Sequence, residues 1–190
     1  MSIQGSSEAI HCMQKVFEEA DCLYSYDQVI EAIDMMARQM NVELKEKDPL
    51  LLVVMNGGLV FAGQLASRLN FPLQLDYLHA SRYGDRVQGD TLTWRVAPSL
   101  SLQGRTVLII DDILDEGKTL LEIIEYCKAE GAEEVLSAVL TDKQHNRKVM
   151  QGLKADYCGI KVEDRFVFGF GMDFKGYWRN APGIYAVKGL

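Results

Sequence analysis

Proline, cysteine and tryptophan are scarce in this chain. Its 190 residues include 4 prolines, 4 cysteines and 2 tryptophans. No stretch rich in proline or glycine separates two halves, so we expect a single domain over residues 1–190 with one sizeable core. The cysteines form no C-x-x-C pair, which indicates reduced, partly buried thiols rather than a disulfide framework or a metal-thiolate site.

Long apolar runs and an excess of basic residues are also missing. No stretch reaches the roughly 18 uncharged apolar residues of a membrane-spanning helix, and no basic segment followed by an apolar run opens the sequence. We therefore expect a cytoplasmic protein without membrane contact. The net charge of −7 argues against a surface that binds nucleic acid.

Apolar runs of strand length alternate with segments of helical periodicity. The first helix is predicted to follow a cap at Ser6 or Ser7, and Ser25 with Gln28 has the form of a capping box for the second. Strands are predicted at 50–55, 73–79, 107–110 and 134–141, and helices at 8–20, 26–40, 58–70 and 117–130. This alternation predicts an α/β fold with a parallel sheet. After Gly152, closely spaced glycines and aromatics indicate an antiparallel addition rather than another βαβ unit.

The segment 106–120, TVLIIDDILDEGKTL, joins a strand to an acidic loop and a helix. In an open α/β sheet, ligands bind beyond the carboxyl ends of the strands, which is where Asp111, Asp112 and Asp115 fall. Backbone N–H groups of residues 116–119, at the start of the next helix, suit an anionic phosphate. The loop therefore combines a phosphate cradle with carboxylates for sugar hydroxyls, a metal or a proton.

Two nucleotide-binding motifs share parts of this segment, and neither fits. A Walker A loop requires glycine at the position of Asp112, where a charged side chain would meet the phosphate. A Walker B strand requires a partner phosphate loop, and the chain has no other Gly-Lys-Ser or Gly-Lys-Thr. These departures argue against a nucleoside triphosphatase.

The segment resembles the phosphoribosyl-pyrophosphate signature of type I phosphoribosyltransferases, and the resemblance over residues 50–179 is to the hypoxanthine-guanine branch. It implies the type I phosphoribosyltransferase fold, an α/β core over about residues 48–160 with a parallel sheet flanked by helices. A small hood would come from the N-terminal segment and about residues 161–190. The implied activity is transfer of 5-phosphoribosyl from 5-phosphoribosyl 1-pyrophosphate to N9 of hypoxanthine or guanine, giving IMP or GMP and pyrophosphate.

The resemblance also implies roles for residues that bind the phosphorylated sugar. Asp111 and Asp112 would hold the ribose hydroxyls, and Asp115 would take the purine N7 proton after burial and neighbouring charge raise its pKa. The remaining residues of the phosphoribosyl loop are Ile113, Leu114, Glu116, Gly117, Lys118 and Thr119. The pyrophosphate would be bound by Arg179 and by the loop of Asn56, Gly57 and Gly58.

Base recognition is assigned to residues far along the chain. Lys143 would donate to the 6-oxo group and so reject adenine, since an ammonium has donors only. Phe166 would stack on the purine, the backbone of Val167 would meet the base edge, and Tyr83 would cover the closed site. Mg²⁺ is the implied cofactor, with Asp111, Asp112 and Asp173 as its candidate ligands. An acidic chain also needs a divalent cation to receive so anionic a substrate.

Two positions depart from the family pattern, and two alternatives stay open. Asn56 stands where lysine is common, in a loop for which we expect a cis peptide between Asn56 and Gly57, and Arg82 stands where serine is usual. The protein is expected to form a homodimer or homotetramer. The alternatives are a non-catalytic regulatory protein on the same fold and a transferase for xanthine or a pyrimidine base.

Overall fold

The computed structural model describes residues 3–82 and 92–189, which form helices and two β-sheets. In chain order the elements are α1 (Ile3–Glu19), β1 (Asp21–Ser25), α2 (Tyr26–Glu43), β2 (Leu50–Val54), α3 (Gly58–Ala66), β3 (Gln74–Arg82), β4 (Leu92–Val96), β5 (Thr106–Leu114), α4 (Lys118–Ala129), β6 (Glu134–Gln144), β7 (Tyr157–Glu163), β8 (Val167–Phe168) and β9 (Gly183–Ala186). Within this part of the chain, no helix has both the length and the apolar character that crossing a membrane requires.

The larger sheet has six strands in the order β4-β3-β2-β5-β6-β7. Its strands are parallel except for β4, which pairs antiparallel with β3 at the edge. All five residues of β2 are buried, as expected for a parallel strand covered on both faces. This sheet confirms the α/β fold predicted from the alternating pattern.

Helices cover both faces of the larger sheet, and successive residues of its central strands point to opposite sides. Leu51 and Ile110 pack in a core cluster with residues of α2 and α3. Leu50 and Ile109 pack in a second cluster that includes Ile123 and Cys127 of α4. Two layers of apolar packing therefore fix the carboxyl ends of β2, β5 and β6 relative to one another.

The smaller sheet joins segments from near the two ends of the described chain. It has the order β1-β9-β8, and its strands are antiparallel. Helix α1 packs against this part through Phe17, whose ring stacks on Trp178 with centroids 4.7 Å apart. The Trp178 indole N–H donates to the carbonyl of Met13 at 2.7 Å. These elements form the predicted hood.

Several local predictions differ from the structure. The Ser25 capping box is confirmed, because the Gln28 N–H donates to the Ser25 hydroxyl and the Ser25 N–H to the Gln28 side chain. A cap at Ser6 or Ser7 is wrong, since α1 begins at Ile3. The antiparallel addition predicted after Gly152 is confirmed for β8 and β9, but not for β7, which extends the parallel sheet beside β6. The cysteines are free; Cys127 and Cys158 are at least partly buried as expected, whereas Cys12 and Cys22 are exposed.

Candidate active site

A cavity of about 520 Å³ lies at the carboxyl ends of β2, β5 and β6. Most of the residues predicted to bind or catalyse line this cavity: Asn56, Gly57, Asp111, Asp112, Ile113, Leu114, Asp115, Glu116, Gly117, Lys118, Thr119, Lys143, Phe166, Val167, Asp173 and Arg179. Gly58 is not on the wall but begins α3 behind it. Tyr83 lies outside the described residues, so its role as a cover stays a prediction.

The acidic pair at the end of β5 lies in the interior of this site. The Asp112 N–H donates to a carboxylate oxygen of Asp111 at 2.9 Å. Burial, together with the negative charge of Asp112, raises the pKa of Asp111 well above its usual range. Burial likewise raises the pKa of Asp112, although the Arg179 guanidinium opposes this. The positive charge near the pair is therefore too small to balance two ionised carboxylates.

Arg179 reaches this pair from the hood. One guanidinium nitrogen lies 2.6 Å from Asp173, and the other lies 3.8 Å from Asp112 and donates to the Gly171 carbonyl at 2.6 Å. The Gly171 N–H in turn donates to the Arg179 carbonyl at 2.9 Å. These contacts hold the planar fork of arginine at the mouth of the acidic pocket, where it can bind a diphosphate oxygen pair.

The residues nominated for Mg²⁺ do not form a three-carboxylate cage. Among the described residues, no group of three or more histidine, cysteine or acidic side chains is placed to hold a metal ion, and Asp173 pairs with Arg179 instead. Mg²⁺ commonly takes one or two carboxylates together with substrate phosphates and water. The undercompensated charge of Asp111 and Asp112 fits an ion that arrives with a phosphorylated ligand.

Three glycines leave almost no clearance behind the acidic pair. A Cβ added to Gly57 would lie 2.2 Å from Asp112 Oδ2, and one added to Gly58 would lie 2.6 Å from the Ile110 carbonyl. Gly171 has φ +111° and approaches the Gly57 carbonyl so closely that a Cβ there would also lie at 2.2 Å. The cis peptide in this region joins Met55 to Asn56, so the expected position between Asn56 and Gly57 is wrong by one bond.

The loop between β5 and α4 has the geometry of an anion site. Gly117 adopts φ +84° directly before the first residue of α4, and no side chain caps this helix end. The positive end of the helix dipole and the N–H groups of its first turn therefore face the cavity. Lys118 makes an ion pair with Glu116 at 2.7 Å, both side chains being a little over 40% exposed.

Asp115 is held between two donors. Lys143 Nζ lies 2.7 Å from one carboxylate oxygen, and His145 Nε2 lies 2.6 Å from the other. Burial alone would raise the pKa of Asp115, but hydrogen bonds from Lys143 and His145 outweigh it and leave this pKa below its usual value. The expectation that the pKa of Asp115 is raised is therefore wrong.

His145 was not predicted as a site residue. It is one of three histidines in the chain and lies two positions after Lys143, directly after the end of β6, and both side chains contact Asp115. That spacing was the available signal. The signal is weak, because nothing local in the sequence places Asp115 opposite these residues.

The hood supplies the far wall of the cavity. Phe166 is 44% exposed and stands edge-on against Phe174, with centroids 5.4 Å apart at 87°. Val167 is buried, and the Phe166 carbonyl accepts from the Val187 N–H at 2.9 Å. A large aromatic ring supported on one edge and open beside a cavity is available for stacking on a flat ligand.

The part of the chain that forms most of this site matches a known protein family. The phosphoribosyl transferase domain model matches residues 20–175, which include both the acidic loop and the base-side residues. The chain therefore belongs to the phosphoribosyltransferase family.

Individual relatives narrow the assignment to the hypoxanthine-guanine branch. The bifunctional protein TilS/HprT of Listeria innocua is 33% identical over 97% of this chain, which spans only 28% of that protein's length. The hypoxanthine-guanine-xanthine phosphoribosyltransferase of Tritrichomonas foetus is 30% identical over 87% of this chain and 90% of its own length. The crystal structure of a hypoxanthine phosphoribosyltransferase from Staphylococcus aureus superposes with a TM-score of 0.84 at 25% identity, covering 90% of this chain and 94% of that one.

Proposed function

We propose that this protein is a purine salvage enzyme that transfers 5-phosphoribosyl from 5-phosphoribosyl 1-pyrophosphate to N9 of hypoxanthine or guanine. The products would be IMP or GMP and pyrophosphate. The observation that carries the proposal is one cavity lined by the acidic pair of β5, the anion loop before α4, and Lys143. The names of the relatives support this choice of bases.

Each part of the phosphorylated sugar has a partner in the proposed complex. The 5′-phosphate would accept from the N–H groups of 116–119 and from the Thr119 hydroxyl. Asp111 and Asp112 would accept from the ribose hydroxyls, and Arg179, with the loop of Asn56 and Gly57, would bind the pyrophosphate. Mg²⁺, when bound by Asp111 and Asp112 and through water by Asp173, would supply positive charge for the departing diphosphate.

When the base binds, Asp115 would lose the hydrogen bond from Lys143 and gain one from the purine N7–H. In the structure, Lys143 donates to Asp115 at 2.7 Å. A 6-oxopurine offers an acceptor at O6 for Lys143 and a donor at N7 for Asp115, so both groups keep a partner when the base enters. Adenine would present an amino group to an ammonium, which leaves two donors facing each other.

The lowered pKa of Asp115 bears on how the N7 proton is handled. A carboxylate that is ionised at neutral pH can accept a hydrogen bond from N7–H and hold negative charge near the developing oxocarbenium ion. The same low pKa disfavours complete transfer of the proton to Asp115. We therefore propose that Asp115 acts mainly by electrostatic stabilisation and guides the proton rather than storing it.

The test is a set of steady-state rates with hypoxanthine, guanine, xanthine and adenine in the presence of Mg²⁺. We expect IMP and GMP to form and adenine to be refused. Failure to form a nucleotide from any oxopurine would contradict the proposal, and tight 5-phosphoribosyl 1-pyrophosphate binding without turnover would favour a regulatory role. Xanthine is the second candidate base, because the name of the Tritrichomonas relative includes it.

Three further properties belong to the same proposal. We propose that residues 1–190 act as one domain, with the core and hood closing on the site between them. The enzyme would work in the cytoplasm as a homodimer or homotetramer. Size-exclusion chromatography with light scattering would measure the assembly state.

A further inference from the structure

The segment that follows β6 is attached to the proposed phosphoribosyl loop from behind. The Val149 N–H donates to the Glu116 carbonyl at 2.8 Å, and Lys148 Nζ donates to the Asp115 carbonyl at 3.2 Å. A third bond comes from His145 in the same segment. Unlike the other two, which reach backbone carbonyls, it reaches the side chain of Asp115, at 2.6 Å. Its own side chain is 2% exposed.

The contacts of the His145 ring define which nitrogen carries the proton. Nδ1 lies 3.0 Å from the Arg147 N–H and accepts from it, so Nδ1 has no hydrogen. The proton of the neutral ring is therefore on Nε2, where it donates to Asp115. In this arrangement His145 is a fixed donor and has no free lone pair with which to remove a proton from substrate.

We propose that His145 is a positioning residue that fixes the orientation and ionised state of Asp115 while Lys143 leaves to bind the base. This inference rests on the proposed function. When Lys143 moves to a 6-oxo group, Asp115 loses one of its two side-chain donors. The bond from His145 would then keep the carboxylate aimed at N7 throughout the reaction.

The charges around Asp115 make this bond matter for its protonation. Positive or protonatable groups are Lys143, His145, Lys148 and Arg147, and the acidic groups nearby on the same and neighbouring segments are Glu116, Asp142 and Asp164. Lys148 is paired with Asp142 at 2.7 Å, and Arg147 is paired with Asp164 at 2.5 Å. Their charges are thus largely matched, which leaves His145 as the remaining direct partner of the Asp115 side chain once Lys143 departs.

Two substitutions separate the two bonds of the ring. In His145→Asn the amide lies near the position of Nδ1, so it can accept from the Arg147 N–H but cannot reach Asp115. In His145→Gln the longer amide reaches the position of Nε2 and can donate to Asp115. We expect His145→Asn to lower kcat for IMP formation about tenfold, the size of one hydrogen bond to a charged group, with KM for 5-phosphoribosyl 1-pyrophosphate unchanged. We expect His145→Gln to recover most of the loss.

The pH profile gives a readout that a purely structural role would not move. Loss of the donor raises the pKa of Asp115, so the acidic limb of kcat should move to higher pH in His145→Asn and stay in place in His145→Gln. Asp164→Asn is the matched control, because it breaks the Arg147 ion pair that anchors the same segment and leaves the bond to Asp115 intact. An equal shift in Asp164→Asn, or none in His145→Asn, overturns the proposal.

A second measurement is independent of turnover. Carbon-13 NMR titration of the Asp115 carboxyl in the substrate-free protein should show a higher midpoint in His145→Asn than in the parent or in His145→Gln. If the parent makes no nucleotide, the proposed function fails, while this titration still decides whether His145 controls Asp115. Identical midpoints in all three proteins would refute the inference.

Discussion

Asp111 and Asp112 are neighbours in sequence, and the pKa of each is raised by burial. Two carboxylates in such a place cost folding free energy when both are ionised, unless a cation joins them. The proposed ligand, a sugar diphosphate with Mg²⁺, brings that cation. The acidic pair therefore lowers the stability of the free protein, and binding of the sugar diphosphate with Mg²⁺ should restore that stability.

Asp111→Asn should stabilise the metal-free protein by about 1 kcal/mol at neutral pH while abolishing most nucleotide formation. The amide oxygen of asparagine can still accept from the Asp112 N–H. Because folding raises the pKa of Asp111, the parent protein loses stability as the pH rises from the unfolded pKa of this group toward its folded pKa. The stability that Asp111→Asn gains over the parent should therefore shrink as the solution is acidified toward pH ~4. Urea unfolding of the parent and the variant between pH ~4 and neutral pH measures this difference in stability. A variant that is less stable than the parent at neutral pH would contradict the explanation.

Gly57 offers a steric test of the same pocket. Gly57→Ala would place a methyl group 2.2 Å from Asp112 Oδ2, so we expect a loss of about 1 to 3 kcal/mol of stability and a large rise in KM for 5-phosphoribosyl 1-pyrophosphate. Gly63→Ala is the control, since Gly63 lies in α3, the helix that Gly57 precedes, and nothing lies within 4 Å of its added Cβ. It should stabilise the protein by about 0.4 to 1 kcal/mol with unchanged kinetics. Equal effects from both substitutions would show that close packing is not the cause.

At the scale of elements, the connection from β6 to β7 differs from an ordinary crossover. Parallel neighbours are usually joined by a helix, but residues 145–156 contain none. The contacts of this segment explain its shape: Lys148 Nζ donates to the Leu114 and Asp115 carbonyls and pairs with Asp142. Its backbone and side chains support the loop that follows β5, which a regular helix could not do with its backbone groups already paired.

Lys148→Met tests this support. Asp142 is only 6% exposed, and removing its partner would leave a buried carboxylate unpaired, so we expect a loss of about 3 kcal/mol in the free energy of unfolding. The double variant Lys148→Met with Asp142→Asn should recover a large part of that loss. Urea unfolding of the four proteins gives the coupling between the two positions. Additive losses would mean that the pair is not the source of the stabilisation.

The elements that could be predicted from sequence are those specified locally. Strand β5, the loop after it and α4 follow one another with a buried apolar run, a glycine and helical periodicity, so their order and chemistry could be predicted. The predicted end of the strand at Ile110 is wrong, because β5 runs to Leu114 and includes Asp111 and Asp112. β1 was missed because its five residues are largely exposed and become a strand only by pairing with β9. β7 was assigned to the wrong sheet because its crossover has no helical pattern.

At the scale of the whole molecule, the site depends on two bodies of structure. The larger sheet supplies the acidic pair, the anion loop and Lys143, while the hood supplies Phe166, Asp173 and Arg179. An aromatic cluster fastens the hood: Phe17 contacts Trp178 at 4.7 Å and Tyr185 at 4.9 Å between ring centroids. Contacts of this kind between distant segments carry no local signature, which is why the family resemblance implied a hood but nothing in the sequence indicated how it is attached.

Phe17→Ala should loosen the hood before the larger sheet. The ring is partly buried, so we expect a loss of about 3 kcal/mol, with faster hydrogen exchange in α1, β1 and β9 and little change in β2 and β5. Weaker base binding should accompany it. Ile10→Ala, on the same helix at a position 50% exposed, should change stability by less than about 0.5 kcal/mol. Uniformly faster exchange in both sheets would show that hood and core unfold as one unit.

The close contact of Gly57, Asp112 and Gly171 limits where the base specificity that we propose for this protein can be redesigned. Its three members come from distant parts of the chain and leave no room for one methyl group, so libraries that vary them would return mostly unfolded or inactive proteins. Phe166, by contrast, is 44% exposed and lines the cavity, so we expect it to accept side chains of other volumes. Engineering toward other nucleobases should therefore randomise the hood side of the cavity and leave the sheet side untouched.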